Sequence, residues 1–588
     1  MSEFHFSPRE NKADLINWRR WGDEAFQQAK AEDKLVLLSI GAVWCHWCHV
    51  MDEKAYSDQK NIELINERFI PIKIDNDKQP DVNRRYNMGG WPTTAVLTPQ
   101  GQLLEGATYL PPEKLYQFLE QIDQVFHQKR DEIEEKIRAY HKEQEERLNR
   151  VQESDLTGDK IEHIQSTILQ KYDDEYGGFG MQPKFPYPEV LDFLLNQYFR
   201  TKDKELEGVI DKTLTNMSRE GMFDQEVGGF FRYSTTRDWT IPHFEKLLQD
   251  NSKLLGVYLK AFQIFNKGGY KEVVLDVISY MQDWMIDHQR RLFYGSQDAD
   301  EEYYKLTRTE RQDVEPPFVD KTIYISWNGM AISSFLKAFA LLDALECKEI
   351  ALKGLDFLME NCFVPGEGMH HYYTDGQGYN TNLLEDQMTI TSTLLEAYQI
   401  THKHKYLDRA KELSQIILER FYDVENGGFF VDIPSDDRLE LMTLEDKPIT
   451  INSCMAELFL KLETVTGEER YRQIAEATLK LCAGQYQEYG LFAAPFGRAL
   501  GAYLDGFTHI TIIGNEKDNK TKKLFQESLK MATPYKIVEK LDPLEDKERI
   551  ETLGYNPEEK KAYVCKGKNC FPPTDNLEEL SNRVLARD

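Results

Sequence analysis

The stretch Cys45-His46-Trp47-Cys48 directly follows the apolar run Leu35-Val36-Leu37-Leu38-Ser39-Ile40. An apolar run of this length is typical of a buried strand, and the two cysteines then lie where the next helix begins. The partial positive charge at a helix N-terminus lowers the pKa of the first thiol, and the Cys-x-x-Cys spacing lets the second thiol resolve a mixed disulfide. The stretch therefore predicts a redox-active dithiol.

Three other uses of the cysteine pair are open. Followed by His49, the pair also matches the attachment pattern of c-type haem, which needs an exported chain and a helical fold around the haem; the sequence indicates neither. A zinc site needs about four ligands, and the other close pair, Cys565 and Cys570, lies at the far end of the chain. A buried, inert pair is the third alternative. We expect no metal and no cofactor.

Composition limits the possible partners. The chain has 588 residues, 41% of them hydrophobic and 12% aromatic, enough for two or more domains. A net charge of −28 without a basic cluster argues against a nucleic-acid or anionic-membrane partner. Residues 1–12 lack the apolar region of a signal peptide, and no run approaches the roughly 18 apolar residues of a membrane span. With only eight cysteines, we expect a cytoplasmic protein rather than a disulfide framework.

Helix and strand patterns alternate between residues 14 and 126, which predicts an α/β domain over residues 1–126. Pro92 begins the strand pattern that ends at Leu97, and a proline is tolerated at the first residue of a strand, where the preceding peptide bond can be cis. This arrangement resembles the thioredoxin fold, in which a cis-proline faces the Cys-x-x-Cys pair. The resemblance implies that Cys45 is the nucleophile, Cys48 the resolving thiol and Pro92 a contact for the substrate backbone. Thioredoxins have a buried Asp where this chain has Ser39, so Cys48 lacks its usual proton acceptor.

Residues 127–153 are rich in Glu, Lys, Arg and Gln and predict a solvated linker helix. Beyond them, loops rich in glycine and aromatic residues recur roughly every 50 to 75 residues, the scale of a repeated helical hairpin. Each loop follows an amphipathic helix, and a more uniformly apolar helix usually comes after it, as expected for outer and inner helices. We therefore predict an all-α (α/α)6 toroid over residues 154–506. The loops are 176–180, 227–231, 292–295, 368–372, 426–430 and 489–492.

The toroid topology places every connection from an outer to an inner helix at one end. Carboxylates, a histidine and aromatic rings in these connections suit a sugar, since rings stack on its apolar face and the polar groups bind hydroxyls or move protons. The candidate residues are His243, Glu245, Asp250, Asp298, Asp300, Trp327, Asn328 and Asp386. Asp298 and Asp300 could instead cap a helix or turn, His243 could be structural, and Trp327 could be cavity wall. Residues 507–588 predict a small α/β appendage that carries Cys565 and Cys570.

Several motifs along the chain together resemble the thioredoxin-domain family that includes spermatogenesis-associated protein 20. The motifs are Cys45 to Met51, Gly89 to Pro92, Pro183 to Pro186, Pro242 to Lys246, Gln297 to Asp300, Ser326 to Gly329 and Val564 to Pro572. The resemblance implies a thioredoxin-like domain followed by a six-hairpin toroid similar to glycosidases and N-acylglucosamine 2-epimerases. The chain departs from the family in a short stretch before Gly89 and in lacking Ser-Glu-Gly after Asp300, which weakens a catalytic role for Asp298 and Asp300.

The leading hypothesis is a dithiol oxidoreductase domain fused to a toroid that binds a sugar or acts as an epimerase or isomerase, with His243 and Glu245 moving protons. One alternative is a glycoside hydrolase that uses paired carboxylates among Glu245, Asp298, Asp300 and Asp386. The other is a non-enzymatic scaffold that senses redox state or binds a glycan. The expected partners are a disulfide-bearing protein and a small sugar.

Overall fold

The computed structural model describes residues 4–148, 154–433, 446–567 and 569–586. The chain divides into two compact units, each built from several segments. The first unit comprises Met1–Arg150, Gln297–Glu301 and Asp432–Asp446, and the second comprises Val151–Ser296, Glu302–Val431 and Lys447–Asp588. The predicted domain ends at 126, 153 and 506 stay predictions, and residues 149–153 of the predicted linker helix lie outside the described residues.

Helices and strands alternate along the first unit. They are α1 (Asp23–Glu32), β1 (Leu35–Gly41), α2 (His46–Glu53), α3 (Gln59–Arg68), β2 (Phe69–Asp75), α4 (Pro80–Tyr86), β3 (Thr93–Leu97), β4 (Leu103–Ala107), α5 (Pro112–Gln128) and α6 (Arg130–Leu148).

The four strands of the first unit form one mixed sheet in the order β2-β1-β3-β4. Strand β2 runs parallel to β1, whereas β3 is antiparallel to both β1 and β4. On one face of β1, Leu35 and Leu37 join a core with residues of α2, α3 and α5. On the other face, Val36, Leu38 and Ile40 join a core with α1 and α4. Burial on both faces explains the continuous apolar run, and the predicted α/β domain is confirmed.

The predicted linker helix corresponds to α6. The preceding helix α5 ends at Gln128, and Arg130 begins the new helix with two hydrogen bonds to the Asp33 carboxylate, at 2.8 and 3.1 Å.

The second unit is mainly helical between residues 154 and 506. Its helices are α7 (Asp159–Leu169), α8 (Pro188–Thr201), α9 (Lys204–Arg219), α10 (Leu248–Phe265), α11 (Gly268–Trp284), α12 (Glu301–Tyr304), α13 (Ile325–Leu342), α14 (Leu345–Asn361), α15 (Leu384–Thr401), α16 (His404–Arg420), α17 (Ile449–Thr466), α18 (Glu469–Ala483) and α19 (Ala494–Asp505). Short strands lie between them: β5 (Tyr233–Ser234), β6 (Pro242–His243), β7 (Lys246–Leu247), β8 (Ile286–Asp287), β9 (Leu292–Phe293), β10 (Ser296–Gln297), β11 (Val319–Asp320), β12 (Ile323–Tyr324), β13 (Phe363–Val364), β14 (Gly368–Met369), β15 (Tyr372–Thr374) and β16 (Gln377–Tyr379).

Six of these helices contact one another in a closed cycle. The cycle runs α8, α10, α13, α15, α17, α19 and returns to α8. Each cycle helix also packs against one outside the cycle: α9, α11, α14, α16, α18 and, for α19, α7. Helices α7 and α19 come from opposite ends of this part of the chain and form the sixth pair, and the contact of α19 with α8 closes the cycle. We call α8, α10, α13, α15, α17 and α19 the inner helices.

Three of the glycine-rich loops contain a lysine–aspartate ion pair of the same kind, which is buried in two of them and partly buried in the third. Lys184 Nζ donates to Asp173 Oδ2 at 2.6 Å and to the Gly177 carbonyl at 2.7 Å. The same arrangement recurs in two further loops, formed by Lys246, Asp224 and Gly228 and by Lys447, Asp423 and Gly427. Gly177 and Gly178 both have positive φ angles, which favour glycine. A buried ammonium needs such a partner, so these loops have a structural reason to recur.

A side-chain amide near the start of four inner helices holds the loop that precedes it. Asn251 accepts a hydrogen bond from the Phe230 N–H at 2.7 Å and donates to the Phe230 carbonyl at 3.0 Å. The same two-way clamp joins Asn328 to Phe293, Gln387 to Met369 and Asn452 to Phe429. All four amides are buried. We call this contact the amide clamp, and it fixes each loop relative to its inner helix.

The sixth predicted loop differs from the others. Residues 489–492 lie inside a 3-10 helix, Tyr486–Ala493, which leads directly into α19. At Gly490 the backbone is non-helical, with φ 52° and ψ −120°, so the predicted loop is reduced to a kink between two short helical stretches.

The C-terminal part of the second unit contains β17 (Thr508–Ile513), α20 (Asn519–Lys530), β18 (Lys536–Leu541), α21 (Lys547–Thr552), β19 (Ala562–Lys566), β20 (Asn569–Cys570) and α22 (Leu577–Leu585). The sheet order is β18-β17-β19-β20, with β17 parallel to β18 and antiparallel to β19. This is the strand order and direction pattern of the N-terminal sheet, without a Cys-x-x-Cys after its first strand. Cys565 and Cys570 form a disulfide between β19 and β20.

Among the described residues, one helix is long and apolar enough to cross a membrane. It is α13, Ile325–Leu342, and 61% of it is buried inside the structure. A buried core helix meets the same criteria, so this helix alone is weak evidence for a membrane span.

Candidate functional site

The dithiol lies at the start of α2, directly after β1. Cys45 caps the helix, since its sulfur accepts a hydrogen bond from the Cys48 N–H at 3.2 Å. The two cysteines form a disulfide, with Cα atoms 5.2 Å apart. Once the disulfide is reduced, a thiolate at Cys45 would face the positive end of the helix dipole, which stabilises it.

Four other cysteines have a contrasting environment. Burial raises the pKa of the Cys347, Cys362 and Cys482 thiols to about 12 and also raises the pKa of Cys454. These thiols stay protonated near neutral pH and are poor nucleophiles. Reactive thiol chemistry is therefore expected at the dithiol rather than at these positions.

Pro92 directly precedes β3, the strand that pairs with β1. Ile40 pairs with Thr93 in the antiparallel register of β1 and β3, and one further step places Pro92 opposite Gly41. A Cβ built on Gly41 would lie 3.5 Å from the Cys48 sulfur. The Trp91–Pro92 peptide bond is cis. The structure thus places Pro92 beside the dithiol, as the thioredoxin resemblance implies.

Aromatic side chains surround the dithiol. Trp47, between the cysteines, is 45% exposed, and its ring centroid is 5.0 Å from that of Tyr109. The Trp44 and Trp91 rings are in edge contact at 5.7 Å. The cysteines themselves are only 3% and 6% exposed, so a partner would reach them across an apolar rim.

A buried polar cluster lies between α2 and the sheet. Lys73 Nζ donates to Asp52 Oδ1 at 2.8 Å, and Asp52 is 2% exposed. Lys73 pairs in register with Ser39, the position at which thioredoxins have Asp. Burial raises the pKa of Tyr56 to about 12, against the effect of the nearby Ser39 and Thr94 hydroxyls. Within the described residues, the buried Tyr56 and Thr94 hydroxyls make no hydrogen bond. Sequence analysis missed the Asp52–Lys73 pair.

Asp298 and Asp300 belong to the segment Gln297–Glu301, which groups with the first unit. Asp298 Oδ2 lies 3.6 Å from His49 Nδ1. His49 Nε2 donates to the Val43 carbonyl at 3.0 Å, and burial lowers the pKa of His49 to about 4, so the imidazole is neutral. The predicted sugar ligands Asp298 and Asp300 are thus grouped with the dithiol unit.

His243 and Glu245 form a pair in the second unit. His243 Nδ1 is 3.0 Å from Glu245 Oε1, and Arg232 Nη1 donates to Glu245 Oε2 at 3.4 Å. The Tyr233 ring stacks on the imidazole at 5.0 Å, which the pairing of β5 with β6 brings about. Glu245 is buried, and the Arg232 guanidinium supplies positive charge beside it, as a buried carboxylate requires.

Asp250, in the first turn of α10, belongs to the same group. Burial raises the pKa of Asp250 to about 6, and neighbouring Glu189 and Glu245 add to the shift, whereas Arg232 and Lys253 oppose it. A carboxyl group with such a pKa can give or take a proton near neutral pH.

A second histidine–carboxylate pair lies at the start of α15. Asp386 Oδ2 is 2.8 Å from His371 Nδ1, and its other oxygen accepts a hydrogen bond from the Ser326 N–H at 3.0 Å. Trp327, at the start of α13, is 8% exposed and packs on Tyr324 at 4.6 Å. Sequence analysis missed His371, although it stands in one of the recurring loops. Both pairs lie at the N-terminal ends of inner helices, and α13 contacts both α10 and α15.

The hydrogen bonds of Asn328 differ from those expected of the predicted sugar ligand. Its amide oxygen accepts from the Phe293 N–H, and its nitrogen donates to the carbonyls of Phe293 and Tyr324, each at 2.9 Å. The side chain is fully buried, and these bonds use its hydrogen-bonding capacity. Asn328 is an amide clamp rather than a sugar ligand.

Within the described parts of the chain, no three His, Cys, Asp or Glu side chains gather in a way that could hold a metal ion.

Comparisons with known proteins agree with the motifs. Residues 7–145 match the family model Thioredox_DsbH, described as "Protein of unknown function, DUF255". Spermatogenesis-associated protein 20 of Homo sapiens is 26% identical, and the alignment covers 96% of this chain and 89% of that protein. The uncharacterized protein B0495.5 of Caenorhabditis elegans is 24% identical, with 96% of this chain and 94% of its own length covered.

Among solved structures, a D-mannose isomerase has a TM-score of 0.48 at 12% identity and covers 58% of this chain and 96% of its own. A sugar epimerase from a ruminal bacterium has a TM-score of 0.48 at 11% identity, and the match covers 59% of this chain and 98% of the epimerase. The sequence comparisons confirm the predicted resemblance: residues 7–145 match the model of a thioredoxin-like DsbH domain, and the chain is similar along nearly its full length to spermatogenesis-associated protein 20.

Proposed function

We propose that the first unit is a thiol–disulfide oxidoreductase. The observation that carries this proposal is the disulfide between Cys45 and Cys48 at the N-terminus of α2, beside Pro92. The reduced Cys45 thiolate attacks one sulfur of a protein disulfide, forms a mixed disulfide and releases the other partner sulfur as a thiolate. The Cys48 thiolate then attacks the Cys45 sulfur, restores the intramolecular disulfide and releases the second partner thiol, so two electrons pass to the partner.

Asp52 is the proton acceptor for Cys48 in this scheme. Cys48 and Asp52 are four residues apart on α2 and therefore lie on one face of the helix. That face meets β1: Cys48 lies by Gly41, and Asp52 binds Lys73, the neighbour of Ser39 in the sheet. Gly41 and Ser39 are two residues apart and share one face of the strand. The carboxylate is thus on the same side as the thiol, where it supplies the charge missing at Ser39.

The inner-helix cycle and its paired outer helices support an (α/α)6 toroid, whose ligand we propose to be a carbohydrate. The favouring observation is the presence of two histidine–carboxylate pairs, His243–Glu245 and His371–Asp386, at the starts of inner helices. Such pairs suit proton removal and return at a sugar carbon, that is, epimerisation or isomerisation. Arg232 would bind sugar hydroxyls, and the Tyr233 ring, stacked between Phe185 and His243, would hold the imidazole in place.

Of the four carboxylates considered for the hydrolase alternative, Glu245 and Asp386 belong to the second unit, whereas Asp298 and Asp300 group with the first. A scaffold without turnover remains the third option. The cytoplasmic location and the disulfide-bearing partner stay predictions.

Replacing Cys45 with Ser should abolish reduction of insulin disulfides by the full chain, because the attacking sulfur is lost. The turbidity of precipitating insulin chains in the presence of dithiothreitol measures the rate. The matched control removes the other disulfide, Cys565→Ser with Cys570→Ser, and should keep the rate. Unchanged activity in the Cys45→Ser variant would reject the oxidoreductase.

Replacing Asp52 with Asn should slow the attack of Cys48 by about tenfold to a hundredfold near pH 7, since the thiol loses its proton acceptor. Quenched-flow mass spectrometry would show the mixed disulfide on Cys45 persisting, with a stronger dependence of its decay on pH. Adding Ser39→Asp to this variant should restore the rate, because the new carboxylate lies beside Lys73. A decay rate that Asp52→Asn leaves unchanged would exclude the relay.

Replacing Asp250 with Asn should raise the melting temperature of the second unit at pH 7.5 and leave it unchanged near pH 4. The pKa of Asp250 in the fold, about 6, lies above its ordinary value of 3.8, so its ionised form destabilises the fold and stability falls as the pH rises through this window. Exposed Asp283 on α11 gives the control Asp283→Asn. A lower melting temperature of Asp250→Asn at pH 7.5 would show that the ionised carboxylate stabilises the fold.

A further inference from the structure

A cleft in the second unit lies between the inner helix α13, the helix α14, the end of α15 and the C-terminal elements β18 and α20. Four lysines line it: Lys348, Lys403, Lys522 and Lys540. The cleft is separate from the histidine pairs, because the inner helices α13 and α15 contribute to it only residues of their C-terminal halves, whereas the pairs lie at the N-terminal ends of inner helices.

Three of the four lysines of this cleft lack the ion pairs that are common elsewhere in the described chain. Within the described residues, Lys348, Lys403 and Lys522 have no carboxylate oxygen within 4 Å, and Lys540 reaches Glu516 only at 3.8 Å. Glu516 itself is largely exposed, and Asp343, the other acidic residue of the lining, binds Lys530 at 2.7 Å. Unpaired lysines are notable in a chain with 100 acidic and 72 basic residues.

Lys348 lies within the electrostatic influence of two other lysines of the cleft. Burial lowers the pKa of Lys348, and the charges of Lys403 and Lys540 lower it further, against the effect of Glu516. A cluster of like charges is unfavourable unless an anion neutralises it.

His402 adds a hydrogen-bond donor beside this cluster. It stands between the lining residues Thr401 and Lys403, and its Nδ1 accepts from the Lys540 N–H at 3.0 Å. Burial, with Lys540 and Lys348 nearby, lowers the pKa of His402 to about 3, so the imidazole is neutral and its proton is on Nε2. That buried Nε2–H has no acceptor among the described residues.

The walls between the lysines are apolar. Lys348 Nζ lies 4.6 Å from the centre of the Phe339 ring, and Lys540 Nζ lies 5.5 Å from that of Phe525. Ile400 and Leu529 continue this surface. Ammonium groups next to an apolar surface suit a ligand that has an anionic group attached to an apolar remainder.

We propose that this cleft binds the phosphoryl group of a small organic phosphate. The lysines neutralise the phosphoryl oxygens by charge-assisted hydrogen bonds, and the organic part lies against Phe339 and Phe525. The site is independent of the proposed redox and sugar chemistry, since it shares no residue with either.

Phenyl phosphate is a suitable probe for isothermal titration of the full chain at low ionic strength. Replacing Lys348 and Lys522 with Gln should weaken its binding about tenfold or more, since two charged contacts are lost. The matched control replaces Lys353 and Lys523, which lie on the same two helices outside the cleft and carry the same total charge. The control should bind within about twofold of the unchanged chain, because general attraction by net charge is the same in both.

The melting temperature without phosphate gives a second measurement. Since repulsion is relieved, the cleft variant should be at least as stable as the control variant, and phenyl phosphate should raise its melting temperature less. If the double variant does not fold, Lys403→Gln, at an exposed position, tests the same loss of affinity. No binding to the unchanged chain, or an equal loss in the control, would overturn the site. Equal affinity for inorganic phosphate would contradict the role of the apolar walls.

Discussion

Strand β1 has to be buried on both faces, and the position of every reactive group in the first unit follows from this constraint. Helices cover both sides of the strand, which ends at Gly41, and the chain then enters α2 with Cys45 as the helix cap. The helix then returns along the strand with Cys48 and Asp52 on its inner face. Register with β3 brings Pro92 opposite Gly41, and register with β2 brings Lys73 beside Ser39. Strand register and the position of α2 thus bring the dithiol, the proline and the buried ion pair together near the end of β1.

The second unit is built differently from the first, because it repeats helix pairs whose connecting loops must be held in place. Amide clamps and buried lysine–aspartate pairs fix these loops in several repeats, which accounts for much of the glycine, aromatic and amide pattern in structural terms. Five polar residues near the inner helices belong neither to an amide clamp nor to a lysine–aspartate pair: His243, Glu245, Asp250, His371 and Asp386. They differ from repeat to repeat, lie near helix N-termini and include a carboxyl group with a pKa of about 6. Such exceptions to a repeated scaffold are the natural place for ligand chemistry.

The sequence predicts well what depends on neighbouring residues. The strand before the dithiol, the helix after it and the amphipathic outer helices follow from short apolar periods. Asn328 was misassigned because a clamp and a ligand contact use the same buried amide, and only its partner Phe293 distinguishes them. The Asp52–Lys73 pair was missed because it depends on strand register. Asp298 was expected to belong to the sugar site. It lies in the segment Gln297–Glu301, which groups with the first unit through contacts that no local sequence pattern indicates.

Assignment of the redox role depends on a stabilised thiolate at Cys45. The direct measurement is the rate of iodoacetamide modification of the reduced full chain as a function of pH, with each cysteine located by mass spectrometry. The helix N-terminus predicts that Cys45 reacts first and that its rate is half-maximal well below about pH 8.5, the ordinary cysteine value. Prior modification of another cysteine, or a Cys45 rate that rises only above that pH, would contradict it.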